Sequence, residues 1–184
     1  MRATGTRLRR ALALVSAVLL VATLLVPWWR LKLSVDVRQG RLDVFPYVIR
    51  SIPPETMEAI LSAGSWRGGS TTRTPEMSAH TAILVIGIAL CVLGGFVSGA
   101  KAAAALGGAG VLLSLDVYWF LKRIRQVANE VYRIPTQGHY VMNQPLGTIY
   151  VETQFQPGLY LAFAAAALAL VAAVLAFALR GSRE

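Results

Sequence analysis

Cysteine is all but missing from this chain: Cys91 is the only one. No disulfide can form within a single copy, so the loops hold their shape without covalent cross-links. No Asn-x-Ser/Thr acceptor site occurs either. Charge is scarce, at 15% of residues, where a soluble domain carries about a quarter. Acidic residues are the rarest part of it, 9 against 18 Lys and Arg, giving a net charge of +9. No phosphate loop, nucleophile elbow or closely spaced carboxylate pair is present, so the common hydrolytic and nucleotide-binding chemistries find no motif here. Two scattered histidines, His80 and His139, with a cysteine inside an apolar run do not make a metal site. The sequence implies no cofactor. No basic run is interleaved with aromatics as in nucleic-acid modules, so nucleic acid is excluded as a partner. The positive charge points instead to anionic membrane lipid.

What the chain has in abundance is apolar sequence, 55% of residues. It is concentrated in four blocks, Ala11–Trp28, Ala79–Val97, Ala102–Leu121 and Leu159–Leu179. Each approaches the roughly 20 residues that cross a bilayer core of about 30 Å. The reading is one membrane domain, 1–184, with transmembrane helices over about 11–28, 79–99, 102–121 and 159–179. The first block follows Arg7, Arg9 and Arg10 like a signal peptide. It is too long for one, however, and ends in "LLVPWW" without a small-x-small cleavage site. The pattern predicts an uncleaved helix.

Two long loops, 29–78 and 122–158, lie on one side because an even number of crossings separates them. The tails and the short connector near Lys101 are densely basic. The positive-inside rule weights such short segments, which predicts cytoplasmic N and C termini in a multi-pass plasma-membrane protein. Lys122, Arg123 and Arg125, just after the third block, run against that rule.

The stretch "RLKLSVDVRQGRLDVF", residues 30–45, alternates apolar with polar. Gln39-Gly40 is placed to form a two-residue hairpin turn, pairing Val37 with Leu42 and Val35 with Val44. That register also sets Asp36 against Asp43 and Arg38 against Arg41. An isolated hairpin is marginal, and Thr148–Phe155 supplies a further strand, with Ile149, Val151 and Phe155 on one face. Bare strands do not sit in hydrocarbon, so this sheet rests above the bundle. "SIPPETMEAILSAG" reads as a short helix entered at Pro53-Pro54 and stopped at Gly64. Thr74-Pro75-Glu76 reads as an N-cap, first turn and acidic start for the second membrane helix. Ile124, Val127 and Val131 carry the third helix on beyond the membrane to about residue 133, stopping near Pro135.

A strand pair directly after the first helix, Trp29 at its start, an overshooting third helix and a lone strand before the fourth resemble the claudin-like four-helix membrane family. The resemblance is one of topology over most of the chain. The family's extracellular cysteine pair has no counterpart here. It implies a four-helix membrane bundle with a small extracellular antiparallel β-sheet, a claudin-like α+β arrangement. It also implies work in adhesion, barrier formation or as an accessory subunit.

Gly87, Cys91, Gly95 and Gly99 recur every four residues, and Ala103 and Gly107 answer on the third helix. Small residues let helices approach closely. Two readings are open: packing of the second helix on the third, or homo-oligomerisation. Asp116 is the one acidic residue within a block. An ion pair with Arg30 or Lys122, a proton or cation site, and a partner contact are all compatible with its position. Trp28, Trp29, Trp119 and Tyr160 are placed to anchor helix ends at the membrane interface. Glu130, His139 and Glu152 are thin material for catalysis. The expectation is a non-enzymatic protein whose sheet contacts other membrane subunits or copies of itself. The alternative is a small transporter or channel component, or a subunit of a membrane enzyme complex.

Overall fold

Helices form where the apolar blocks lie, with ends that differ from the sequence reading. The computed structural model describes residues 2–35, 38–53, 71–131, 133–144 and 147–181. The helices are α1 (Arg2–Leu25), α2 (Pro75–Phe96), α3 (Gly99–Gln126) and α4 (Pro157–Gly181). Each is long and apolar enough to cross a membrane. Thr74 is the N-cap residue of α2, followed by Pro75, but its side chain makes no cap hydrogen bond. The expected overshoot of α3 is a π-helical turn, Val127–Val131, after the α-helix proper. The expected helix at 53–64 falls almost wholly outside the described residues.

The helices form a ring in which α1 packs on α2 and α4, and α3 packs on α2 and α4. The α1–α4 seam holds two buried hydroxyls seven residues apart. Ser16 donates to the Ala165 carbonyl (2.8 Å) and Thr23 to that of Gly158 (3.2 Å), so neither buries an unmet donor. α4 answers with Ala162, Ala165, Ala169, Ala172 and Ala176, all buried. At the other end of the bundle, Arg9 is buried rather than a solvated tail residue. It donates Nη1 to Gly94 O (2.6 Å) and Nη2 to Val97 O (2.9 Å). These are carbonyls that the end of α2 would otherwise leave unpaired, at the negative pole of the helix dipole.

The sheet has six antiparallel strands, more than the three expected. They are β1 (Trp29–Val35), β2 (Arg38–Val44), β3 (Ile49–Ile52), β4 (Thr71–Thr72), β5 (Gly138–Gln144) and β6 (Gly147–Phe155). Their order is β4-β3-β2-β1-β6-β5. The hairpin register differs from the sequence reading. Trp29 pairs with Val44, Leu31 with Leu42 and Val35 with Arg38, so Gln39 and Gly40 lie within β2. Both registers keep the same apolar face, because they differ by an even number of residues. Charge decides between them. The expected one opposed like charges, whereas the observed one sets Arg30 against Asp43, with Nε 2.6 Å from Oδ1. Lys32 does oppose Arg41, but it reaches Glu152 on β6 instead (3.1 Å).

Leu31, Leu33, Leu42, Val44 and Val151 face inward and are buried in one cluster with Phe120 of α3, Ala128 of the π-helical turn and Ile134 beyond it. The sheet is also stitched to the helices through the backbone. Trp28 N donates to Val44 O, Gln156 N to Trp28 O, and Gly158 N to Pro27 O. Leu33→Asp is therefore expected to destabilise the protein by several kcal/mol, since it buries an unpaired charge. Ser34→Asp, on the opposite face, should shift stability by about 0.5 kcal/mol. Thermal melts in detergent check this, and equal losses would contradict the assignment of faces.

Candidate functional site

Two places carry polar chemistry: a buried pair where α2 meets α3, and the outward face of the sheet.

The pair is His80 and Asp116. His80 Nδ1 lies 2.7 Å from Asp116 Oδ1, and the two side chains are 5% and 0% exposed. Neither expected partner holds Asp116, since Arg30 is engaged by Asp43 and Lys122 makes no ion pair with it. Geometry explains the meeting. His80 lies sixteen residues before Phe96 and Asp116 seventeen after Gly99. At 1.5 Å per residue both stand about 25 Å from the connector. Glu76, one turn before His80, and Arg123, two turns after Asp116, meet further from the connector at 3.2 Å. Aromatic rings enclose the pair. The Trp119 ring centroid is 4.6 Å from that of His80, and Trp28 packs edge-on against Phe120 at 4.8 Å. Trp28 Nε1 and Asp116 Oδ2 are buried without a hydrogen-bond partner. Among the described residues, no three His, Cys, Asp or Glu side chains are grouped to hold a metal ion.

The four expected interface anchors lie in two environments. Trp119 on α3 and Tyr160 at the start of α4 are exposed. Trp28 and Trp29 are buried, because the chain turns into β1 there and carries them under the sheet. Trp29 Nε1 donates to the Thr136 carbonyl (2.9 Å).

The small-residue stripe divides as well. A four-residue step turns a helix by about 400°, so such a row drifts about 40° per step. Gly87 faces α3, where a Cβ would stand 2.9 Å from Leu113. Cys91 lies against α1, 3.4 Å from the Ser16 hydroxyl. Gly95 also faces α1, with Ala13 3.6 Å from the position of a Cβ, and not α3 as expected. Gly99 is not on α2: it opens α3 at φ 65° with open space around it. Ala103 is half-buried, and Gly107 faces Ala173 on α4. The glycine pressed hardest onto α3 is Gly94, where a Cβ would come 2.5 Å from Leu106 Cγ. Its signal was the seven-residue spacing Gly94, Gly87, His80, which keeps one face toward a neighbouring helix. Gly94→Ala should cost about 1–2 kcal/mol. Gly95→Ala should gain up to about 1 kcal/mol from helix propensity. Melting temperatures check the opposite signs, and a larger loss at Gly95 would contradict the packing.

On the sheet, the outward residues fall in rows across the strands. One row runs Arg50, Asp43, Arg30, Gln154, and the next Ile52, Arg41, Lys32, Glu152, His139. His139 is thus a strand residue and not a loop residue. It opposes Glu152, while Glu130 stands on the π-helical turn. Asp43 is the one buried residue of these rows, with Arg30 and Arg41 closing over it. Tyr150 (59% exposed) and Val141 (50%) form the third row with Ser34 and Gln39.

The chain matches no family model, and no curated protein matches it.

Proposed function

We propose that the four helices span a plasma membrane and that the sheet stands outside it, in a claudin-like arrangement, as a platform for protein contacts. The membrane placement is supported by the outer surface of the bundle. Val18, Leu25, Phe96, Val174 and Phe177 are each more than 60% exposed, and apolar patches of that extent call for lipid rather than water. The N and C termini belong on the cytoplasmic side, together with the Lys101 connector. The protein is non-enzymatic and works as an accessory subunit, assembly factor or cell-surface interaction protein.

The single observation that carries the contact role is the outward sheet face. It is polar and arginine-rich, with Tyr150 and Val141 exposed beside the charges. Tyrosine and arginine are enriched where proteins meet. A transport role would call for polar groups facing one another along the span. Ser16 and Thr23 already donate to helix carbonyls, and His80 is paired with Asp116.

A photo-crosslinking residue at position 150, activated in native membranes before purification in mild detergent, tests the reading. The expected product is a discrete adduct with one polypeptide, either a partner subunit or a second copy. Adducts to lipid alone, or none, would sink it.

A further inference from the structure

We propose that the outward sheet face binds an extended acidic segment of a partner protein through Arg30, Arg41 and Arg50. The inference rests on the platform reading and names the chemistry of what that platform holds. Four cations, Arg30, Lys32, Arg41 and Arg50, share this face with the carboxylates of Asp43 and Glu152 among the described residues.

The arginines are held in place. Arg30 gives Nε and Nη2 to Asp43 (2.6 and 3.4 Å) and keeps its Nη1. Arg41 approaches Asp43 only through Nε (3.2 Å), leaving both terminal nitrogens. Arg50 lies with its Cζ 4.9 Å over the Phe45 ring, and its Nη2 reaches the Tyr47 hydroxyl (3.4 Å). Buried Asp43 thus fixes two guanidinium groups from below, and an aromatic ring fixes the third. Their remaining N–H groups are free to meet an incoming acceptor. Guanidinium forks suit carboxylates, and prior ordering lowers the entropy lost on binding. Lys32 is tied only to Glu152 in an exposed pair, which gains little and yields readily.

Spacing and orientation favour an extended polypeptide. Residues two apart on a strand are about 7 Å apart, and neighbouring strands about 4.8 Å. Arg30 and Lys32 therefore repeat at the interval of alternate side chains on an extended chain. The opposite face of the sheet packs on the helices, so the cationic face is turned away from the bundle and from the lipid around it.

The test uses the full chain in zwitterionic-lipid nanodiscs. The probe is a fluorescent twelve-residue peptide of alternating Glu and Thr, read by polarisation. The peptide is expected to bind, and a Lys/Thr peptide of the same length is not. Raising salt from about 50 to 300 mM should weaken binding about tenfold or more, as for exposed charges. Arg41→Gln with Arg50→Gln should weaken it by about tenfold. Arg123→Gln, on α3 and paired with Glu76, should leave it unchanged. Salt-insensitive binding, or equal affinity of the double variant, would overturn the inference. So would tighter binding of inorganic polyphosphate or of phosphatidylglycerol vesicles, which would point to a phosphate-bearing ligand. An intact adduct at position 150 with unaltered peptide affinity in the double variant would end this inference alone. Absence of the adduct would end the platform reading first.

Discussion

Replacing Gly158 with alanine is expected to cost about 3 kcal/mol or more, the upper end of overpacking. A methyl group there would stand 2.7 Å from the Pro27 carbonyl oxygen and would also run into that of Val26. Both obstacles are backbone, so no side-chain rotation relieves them. The site is where the end of α1 and the start of α4 touch. There Gly158 N donates to Pro27 O and the Thr23 hydroxyl reaches Gly158 O. Forcing the two apart would also strain the adjoining hydrogen bonds of Trp28, which tie the sheet to the bundle. Gly108→Ala is the control, since nothing lies within 4 Å of a Cβ at that position. Melting temperatures in detergent read both. A Gly158→Ala protein as stable as the Gly108→Ala protein would refute the close approach.

The second large effect is an asymmetry within the His80–Asp116 pair. His80→Leu leaves a buried carboxylate with neither oxygen hydrogen-bonded, because Oδ2 has no partner and Oδ1 loses its only one. Breaking a buried pair this way costs about 3–5 kcal/mol. Asp116→Leu leaves one imidazole among Trp28, Trp119 and Phe120 and no buried carboxylate. That loss should be smaller, about 1–3 kcal/mol for one unmet polar group. The double variant His80→Leu/Asp116→Leu should recover most of the stability lost in His80→Leu. Thermal unfolding of the three variants measures the coupling. Additive losses would show that the two side chains are independent.

Much of this architecture is legible in the sequence. Helix blocks and the alternating strand faces follow from hydrophobic period, and the inward set Leu31, Leu33, Leu42 and Val44 needs nothing else. The register was harder, because a shift by an even number leaves the faces unchanged. Only the cross-strand charges separate the candidates, and their partner Glu152 lies more than a hundred residues away in sequence. β5, "GHYVMNQ", carries no strong alternation and forms by pairing with β6. Trp28 and Trp29 resemble interface anchors by composition, but the turn into β1 buries them. Arg9 resembles a solvated tail charge, and only the neighbouring end of α2 reveals its acceptors. The His80–Asp116 contact was within reach, since their equal distances from the short connector place them at one depth.

Cysteine labelling tests the central claim most directly, that the sheet and the Lys101 connector lie on opposite sides of a membrane. Single cysteines are placed at Gln39, exposed on the sheet, and at Lys101, exposed at the connector, in a Cys91→Ala background. Intact cells are treated with a membrane-impermeant maleimide and compared with lysed cells. The expected result is labelling at position 39 in intact cells and at position 101 only after lysis. Labelling of both positions in intact cells, or of 101 alone, would contradict the proposed arrangement.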